Sequence, residues 1–191
     1  MDCLPTPDMC LPRMRGGVLL DCISSEALVA LHRMEEEEGF ARFTCRPVQR
    51  RTDQELLALY QQALQDRNRL ICGLYQAKGG PAIGKLTVSD YNPRNRSAEL
   101  GYFLLPAFRG NGCMAKSLYM ICELLLLKLG LNKVYAQTGA FNRSSIRLLE
   151  KMGFQRDAVL RHHHVLEGQE WDDYIYSLLR EEFPRNIDRM E

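Results

Sequence analysis

The chain has 191 residues, 46% of them hydrophobic and 26% charged, with a formal charge of +1. That length fits one domain with a sizeable core, with or without a tail. The balance of charge excludes a broad field for holding nucleic acid or an anionic membrane, leaving room only for a local patch. Seven cysteines, at 3, 10, 22, 45, 72, 113 and 122, include no Cys-x-x-Cys pair. They speak against a disulfide framework and a zinc ribbon, and for a reducing compartment. Pro5, Pro7 and Pro12 interrupt the start before any apolar run of signal-peptide length. The longest greasy stretch, residues 124–127, is far too short to span a bilayer. A cytoplasmic protein without a membrane or nucleic-acid partner is expected.

In chain order, residues 1–15 are proline-rich and aperiodic and read as a loosely held arm. Residues 18–23 suit a first strand. Ser24-Ser25-Glu26 then caps a helix with Ala27, Leu28, Leu31 and Met34 on one face. Residues 35–38, all glutamate, fall near its C-terminal end, where the dipole disfavours them. They read as a solvated, fraying end, or as an acidic rim facing a basic acceptor. Thr52-Asp53-Gln54-Glu55 starts a second helix. Residues 70–76 and 83–88 are β-leaning runs joined by Lys78-Gly79-Gly80-Pro81, a hairpin signal. A strand beginning near Glu99 stops at Pro106, and a glycine-bearing loop leads into a helix with apolar residues at 114, 118, 121, 122, 125, 126 and 129. Residues 133–138 suit a buried strand. Asn142-Arg143-Ser144-Ser145 opens a helix that Gly153 ends. Residues 154–165 and 171–179 form a hairpin turning at Glu167-Gly168-Gln169. Helices interleaved with hairpins mean mixed α/β or α+β, not a fully parallel doubly wound sheet. One domain over residues 16–183, followed by a tail at 184–191, is the economical division.

Two motifs carry chemistry. Arg109-Gly110-Asn111-Gly112 is neither a Walker A nor a dinucleotide fingerprint. Two glycines at the mouth of a long helix leave backbone N–H groups aimed outward at the positive end of the dipole, an anion site that suits phosphate. Taken alone, the same loop reads first as a tight strand-to-helix turn with no ligand. One strand and one helix later stand Asn142-x-x-Ser145 and Leu148-Leu149-Glu150-Lys151-Met152-Gly153-Phe154.

Together these residues resemble the GNAT superfamily of acetyl-CoA-dependent N-acetyltransferases. Within it they are most similar to the RimJ/RimL branch, which acetylates protein N-termini and includes relatives with other acceptors. The resemblance rests on Ala98-Glu99-Leu100-Gly101-Tyr102, Gly110-x-Gly112-x-Met114, Asn142-x-x-Ser145, Gly153-Phe154, Leu160-Arg161 and Asp173-x-x-x-Ser177-Leu178-Leu179. Met114 stands where the superfamily loop carries Gly or Ala, a substitution familiar in that branch. The resemblance covers residues 18–180 and is weakest before residue 70.

The resemblance implies a GNAT fold: a mostly antiparallel sheet of about seven strands with a splayed middle pair, flanked by about four helices. It implies acetyl-CoA as co-substrate, a primary amine as acceptor, direct transfer in a ternary complex, no metal, and a monomer or homodimer. Backbone N–H groups of Arg109, Gly110, Asn111, Gly112, Cys113, Met114 and Ala115 would hold the pyrophosphate. Phe103, Leu104 and Leu105 would pair with the pantetheine arm like an added strand. An N–H near Leu104 would meet the oxyanion, and Asn142 would contact the pantetheine. Glu99 is the candidate base, directly or through water; the alternative is a carboxylate that lines the strand or pairs with an arginine. Ser145 is the candidate thiolate stabiliser and proton relay, or else a helix cap, with Ser144 as its substitute. A non-catalytic acyl-CoA sensor and a nucleotide-binding protein are the competing readings.

The acceptor sets the demand on the base. A lysine amine, pKa about 10.4, is only about one part in 2,500 deprotonated at pH 7, whereas an α-amine near 7.7–8.0 is roughly a tenth deprotonated, a difference of roughly 3.5 kcal/mol. Residues 162–164 are three histidines, but strand alternation would keep them from meeting one metal ion. One of them, or Trp171 or Tyr174, could line an acceptor pocket or simply pack. Cys113 reads as a small loop residue rather than a nucleophile.

Overall fold

The computed structural model describes residues 3–6, 10–37, 39–43 and 49–183, with the side chains of 41 and 42 left aside. Among them run β1 (Arg13–Arg15), β2 (Val18–Asp21), α1 (Ser25–Glu37), a 3₁₀ turn (Phe40–Phe43), α2 (Asp53–Gln65), β3 (Leu70–Tyr75), β4 (Gly84–Asn92) and β5 (Ser97–Leu104). A 3₁₀ turn (Pro106–Phe108), α3 (Cys113–Cys122), β6 (Lys133–Gly139), α4 (Arg143–Lys151), β7 (Gln155–Leu166) and β8 (Gln169–Leu179) follow. The strands form one sheet in the order β1-β2-β3-β4-β5-β6-β8-β7. Every neighbouring pair is antiparallel except β5 and β6. This is the expected mixed α/β sheet, with eight strands rather than about seven. The extra strand lies at the edge of what reads as an arm: Arg13–Arg15 pairs with β2, and Leu4 is buried, its N–H bonded to Arg67. Residues 184–191, Glu38 and Cys45 lie outside the described residues.

The sheet buries both faces unequally. Leu70, Cys72, Leu86, Val88, Ala98, Leu100, Val134 and Ala136 pack with α3 and α4 in the larger cluster. Ile71 and Phe103 pack with Leu28 and Leu31 of α1 in the smaller one. Period-two alternation therefore assigns Ala98, Leu100 and Tyr102 of β5 to the α3/α4 face, and Glu99, Gly101 and Phe103 to the α1 face. α2 starts as read, with Thr52 and Glu55 closing a capping box. α3 does not run on to 129 as a regular helix. Glu123–Lys128 is π-helical, and the Leu129 N–H reaches back five residues to the Leu124 carbonyl. The inserted residue lets Leu124, Leu125 and Leu126 all turn inward.

The acidic end of α1 is not simply solvated. Glu35 is only 8% exposed and its carboxylate meets Lys85 Nζ of β4 at 2.8 Å. Glu36 pairs instead with Arg33. Lys85→Met is expected to lower stability by about 3 kcal/mol, because Glu35 is then buried without its countercharge. Glu35→Gln on the same background restores much of that loss, and thermal melting measures both. No helix among the described residues is long and apolar enough to cross a membrane.

Candidate active site

The centre of the sheet is a fork. β5 pairs with β4 from Ser97 to Leu104, but with β6 only through Ser97, Ala98 and Glu99. Beyond Glu99 the two arms separate. The Leu105 N–H donates to Ile83 O at 2.9 Å, so the odd residues of β5 bond toward β4 and the even residues toward the gap. The Leu104 carbonyl fits that alternation: it turns away from β4 and accepts from Arg109 Nε at 2.9 Å. The Leu104 N–H lies on the same edge, directed into the gap. Phe103 and Leu104 are buried and Leu105 is half-buried.

At the outer end of the β5 arm the chain turns through Pro106–Phe108. The Arg109 N–H closes that turn on Pro106 O, so both its backbone donor and its guanidinium brace the loop. Gly110 and Gly112 have φ of 84° and 74°, and each is exposed with open space where a Cβ would lie. Gly112 is the N-cap of α3 and provides no side-chain cap. Cys113, Met114 and Ala115 tuck their side chains into the core, which turns the first-turn N–H groups outward. Burial also removes Cys113 from the surface as a nucleophile. Asn111 is exposed in the loop. An uncapped helix start with open space at both glycines fits a pyrophosphate.

α4 meets the β5 arm on the α3/α4 face. Asn142 Oδ1 caps the helix, accepting from Ser145 N at 3.3 Å and Ser144 Oγ at 2.9 Å. Ser145 therefore has its backbone, not its hydroxyl, in the cap. Its Oγ lies 2.7 Å from Tyr102 Oη of β5. Burial pushes the Tyr102 hydroxyl up to about 12, the Ser145 hydrogen bond opposing only part of that shift. The phenol is therefore protonated at neutral pH. Against a thiol of pKa about 8.5, outright proton donation is uphill by roughly 5 kcal/mol, so what the pair can offer a thiolate is a hydrogen bond rather than a proton. Sequence reading placed Tyr102 in a motif without giving it a role. Its odd-even position opposite Glu99 was the signal. Tyr102→Phe and Ser145→Ala are each expected to lower kcat about tenfold, and the double variant scarcely more, as for two members of one chain. Steady-state kinetics on the four proteins test this.

Glu99 sits at the crotch of the fork on the opposite face, half-buried, level with Ser89 of β4 and Tyr135 of β6. Tyr135 donates its hydroxyl to Asp90 Oδ2, so this bond passes across β5 at the level of Glu99. Asp90 stands at a β4 bulge with φ of 49°. The histidines do not follow strict alternation, because β7 bulges between Leu160 and His164. His162 and His163 are exposed, and His162 Nδ1 lies 2.6 Å from Glu170. His164 turns inward against Phe141. Trp171 also meets Phe141, whereas Tyr174 packs on the other face of β8 beneath Arg156, away from Glu99. Among the described residues no three metal-binding side chains converge.

The comparisons with known proteins agree with this geometry. The family model for the acetyltransferase (GNAT) domain matches residues 18–155. YoaA of Bacillus subtilis (strain 168), named as an uncharacterized N-acetyltransferase, is 29% identical over 66% of this chain and 70% of its own. YokL, an SPbeta prophage-derived uncharacterized N-acetyltransferase of the same organism, is 31% identical over 54% of this chain and 59% of its own. The crystal structure of spermidine N-acetyltransferase from Vibrio cholerae, in complex with CoA and spermine, superposes with a TM-score of 0.80 over 89% of this chain and 99% of that one. At 19% identity it speaks for the fold alone. A match through the forked strands, the uncapped α3 and the start of β7 shows that the chain belongs to the GNAT family and is an acetyltransferase.

Proposed function

We propose that the protein is an acetyl-CoA-dependent N-acetyltransferase, of the RimJ/RimL-like kind, that moves the acetyl group directly to a primary amine. The observation that carries this is the fork, whose two faces are chemically different. On the α3/α4 face, Tyr102 and Ser145 face the gap from β5 and α4. On the α1 face, Glu99 stands where the arms part. A thioester entering from one face and an amine from the other meet in the gap with no covalent relay between them.

In this reading the N–H groups of residues 110–115 hold the pyrophosphate, and Arg109, whose own N–H is taken by Pro106 O, contributes by bracing the loop. The arm residues Phe103, Leu104 and Leu105 align the pantetheine through the unpaired edge of β5, and Asn142 orders the start of α4 beside it. Acetyl-CoA supplies the acetyl group as a thioester. Glu99 takes the proton that the amine nitrogen loses as its bond to the acetyl carbon forms. The Leu104 N–H stabilises the negative charge on the carbonyl oxygen. As the carbon–sulfur bond breaks, Ser145, backed by Tyr102, hydrogen-bonds the departing thiolate.

The test is release of CoA thiol from acetyl-CoA across a panel of primary amines, polyamines and N-terminal peptides. Acceptor-dependent thiol, with the acetyl group found on the amine by mass spectrometry, is the expected result. Tight acetyl-CoA binding with no acceptor-dependent thiol anywhere in the panel would overturn it in favour of an acyl-CoA sensor.

A further inference from the structure

On the β6 arm, Gln137 lies two residues past Tyr135 on the Glu99 face, about 7 Å beyond the fork. Its Nε2 donates to Asp173 Oδ2 of β8 at 2.8 Å. Asp173 has no exposed surface, and its other oxygen makes no hydrogen bond, with His164 Nδ1 3.5 Å away. A carboxylate accepts only, so the amide group that faces it must be the –NH₂. The Gln137 carbonyl oxygen is thereby turned away from Asp173. Past Tyr135, β6 no longer pairs with β5, so Gln137 stands beside the gap between the arms.

Rings link those arms on the same face. Phe103 of β5 touches Phe40 (centroids 4.8 Å apart), Phe40 touches Phe43, and Phe43 touches Phe141 after β6. Phe141 stacks edge-on against His164 at 4.7 Å and Trp171 at 5.8 Å. Asp173, on the same face as this belt, has no exposed surface, and Gln137 is half-buried, so an amide oxygen there loses part of its access to water.

We infer that Gln137 binds the acceptor amine: its Oε1 accepts one N–H while Glu99, on the facing arm, accepts the other. Asp173 is the positioning residue that sets the amide's orientation. The arrangement selects a primary amine, because an attacking secondary amine has a single N–H and leaves one of the two oxygens unmet. A site built to hydrogen-bond an N–H discriminates against the analogue that lacks it. This inference rests on the N-acetyltransfer reading above.

The experiment compares n-propylamine and a Ser-Ala-Ala-Ala peptide amide, each beside its N-methyl analogue, in the wild-type protein, Gln137→Met and Asp173→Asn. Wild-type protein is expected to favour the primary form at least tenfold in kcat/KM. Gln137→Met, close to isosteric and unable to accept strongly, should lose about tenfold on the primary amine and little on the N-methyl analogue, so the preference collapses. Asp173→Asn lets the amide turn over, raising acceptor KM more than it lowers kcat and narrowing the preference. Acetyl-CoA affinity should stay within twofold in all three, which separates these effects from unfolding. An active wild-type enzyme whose preference survives in Gln137→Met would overturn the assignment of Gln137 alone. Absence of acceptor-dependent thiol in the wild-type protein with every amine would overturn the transfer reading and this inference together.

Discussion

Glu99→Gln is expected to lower kcat about 10²-fold while leaving the acetyl-CoA dissociation constant within twofold, the scale of a lost general base. Gln keeps the side chain's shape and its hydrogen-bonding oxygen but cannot take up a proton. Position makes the residue critical. Glu99 is the last β5 residue still paired on both sides, so its backbone is fixed by Ser89 and Tyr135 and its side chain stands on the α1 face where the arms part. The Tyr135–Asp90 hydrogen bond across β5 holds the neighbouring strands at the same level. A carboxylate that merely lined the strand would show an equal loss with every amine. A true base shows a loss graded by acceptor. An amine of pKa about 10.4 needs roughly 3.5 kcal/mol more help at neutral pH than an α-amine. The Glu99→Gln deficit should therefore be largest for alkylamines and smallest for peptide N-termini. Steady-state rates on both classes, with calorimetric titration of acetyl-CoA, decide the matter; near wild-type turnover would remove Glu99 as the base.

Those features legible in the sequence are the ones encoded within a few residues of one another. Thr52 and Glu55 announce the start of α2, and Glu167-Gly168 turns the last hairpin with φ of 53° and 79°. Asn142 and Gly153 bound α4 as expected. What escaped depends on partners distant in sequence. The bond from Tyr102 to Ser145 spans 43 positions and the one from Lys85 to Glu35 spans 50. Neither pair has a local signature, and the run of four glutamates concealed the burial of Glu35. β1 was illegible because Arg13–Arg15 has no apolar pattern of its own and exists as a strand by pairing with β2. The π-helical turn hid because leucines at 124 to 127 satisfy a regular helix equally well. The outward turn of both His162 and His163 was hidden for a related reason: alternation holds only while the ladder is regular, and β7 is bulged there, with His162 at φ of 52°. Gln137 and Asp173 lie on different strands, and the register that makes them neighbours is set by the whole sheet.

Gly112→Val is expected to weaken acetyl-CoA binding about 10²-fold with little change in thermal stability. Gly112 holds φ of 74° at the N-cap of α3, in a loop where nothing packs against a Cβ. The cost is therefore conformational rather than steric. A β-branched residue in the left-handed region is disfavoured by about 1–2 kcal/mol or more, so the exposed loop relaxes to another shape instead of carrying the strain. Relaxation moves the outward N–H groups off the phosphate position, and each hydrogen bond to a charged group that is lost removes about 1.5–3 kcal/mol. Two such losses reach a factor of at least 10². Gly112→Ala, with the smallest side chain, should fall between wild type and Gly112→Val. The buried side chains of Met114 and Leu118 remain seated in the core whichever residue stands at 112, which is why melting should change little. Calorimetric titration with acetyl-CoA and with desulfo-CoA, which keeps the pyrophosphate, should show the same loss for both ligands. Equal affinity in Gly112→Val and the wild-type protein would mean that the phosphates lie elsewhere than at the start of α3.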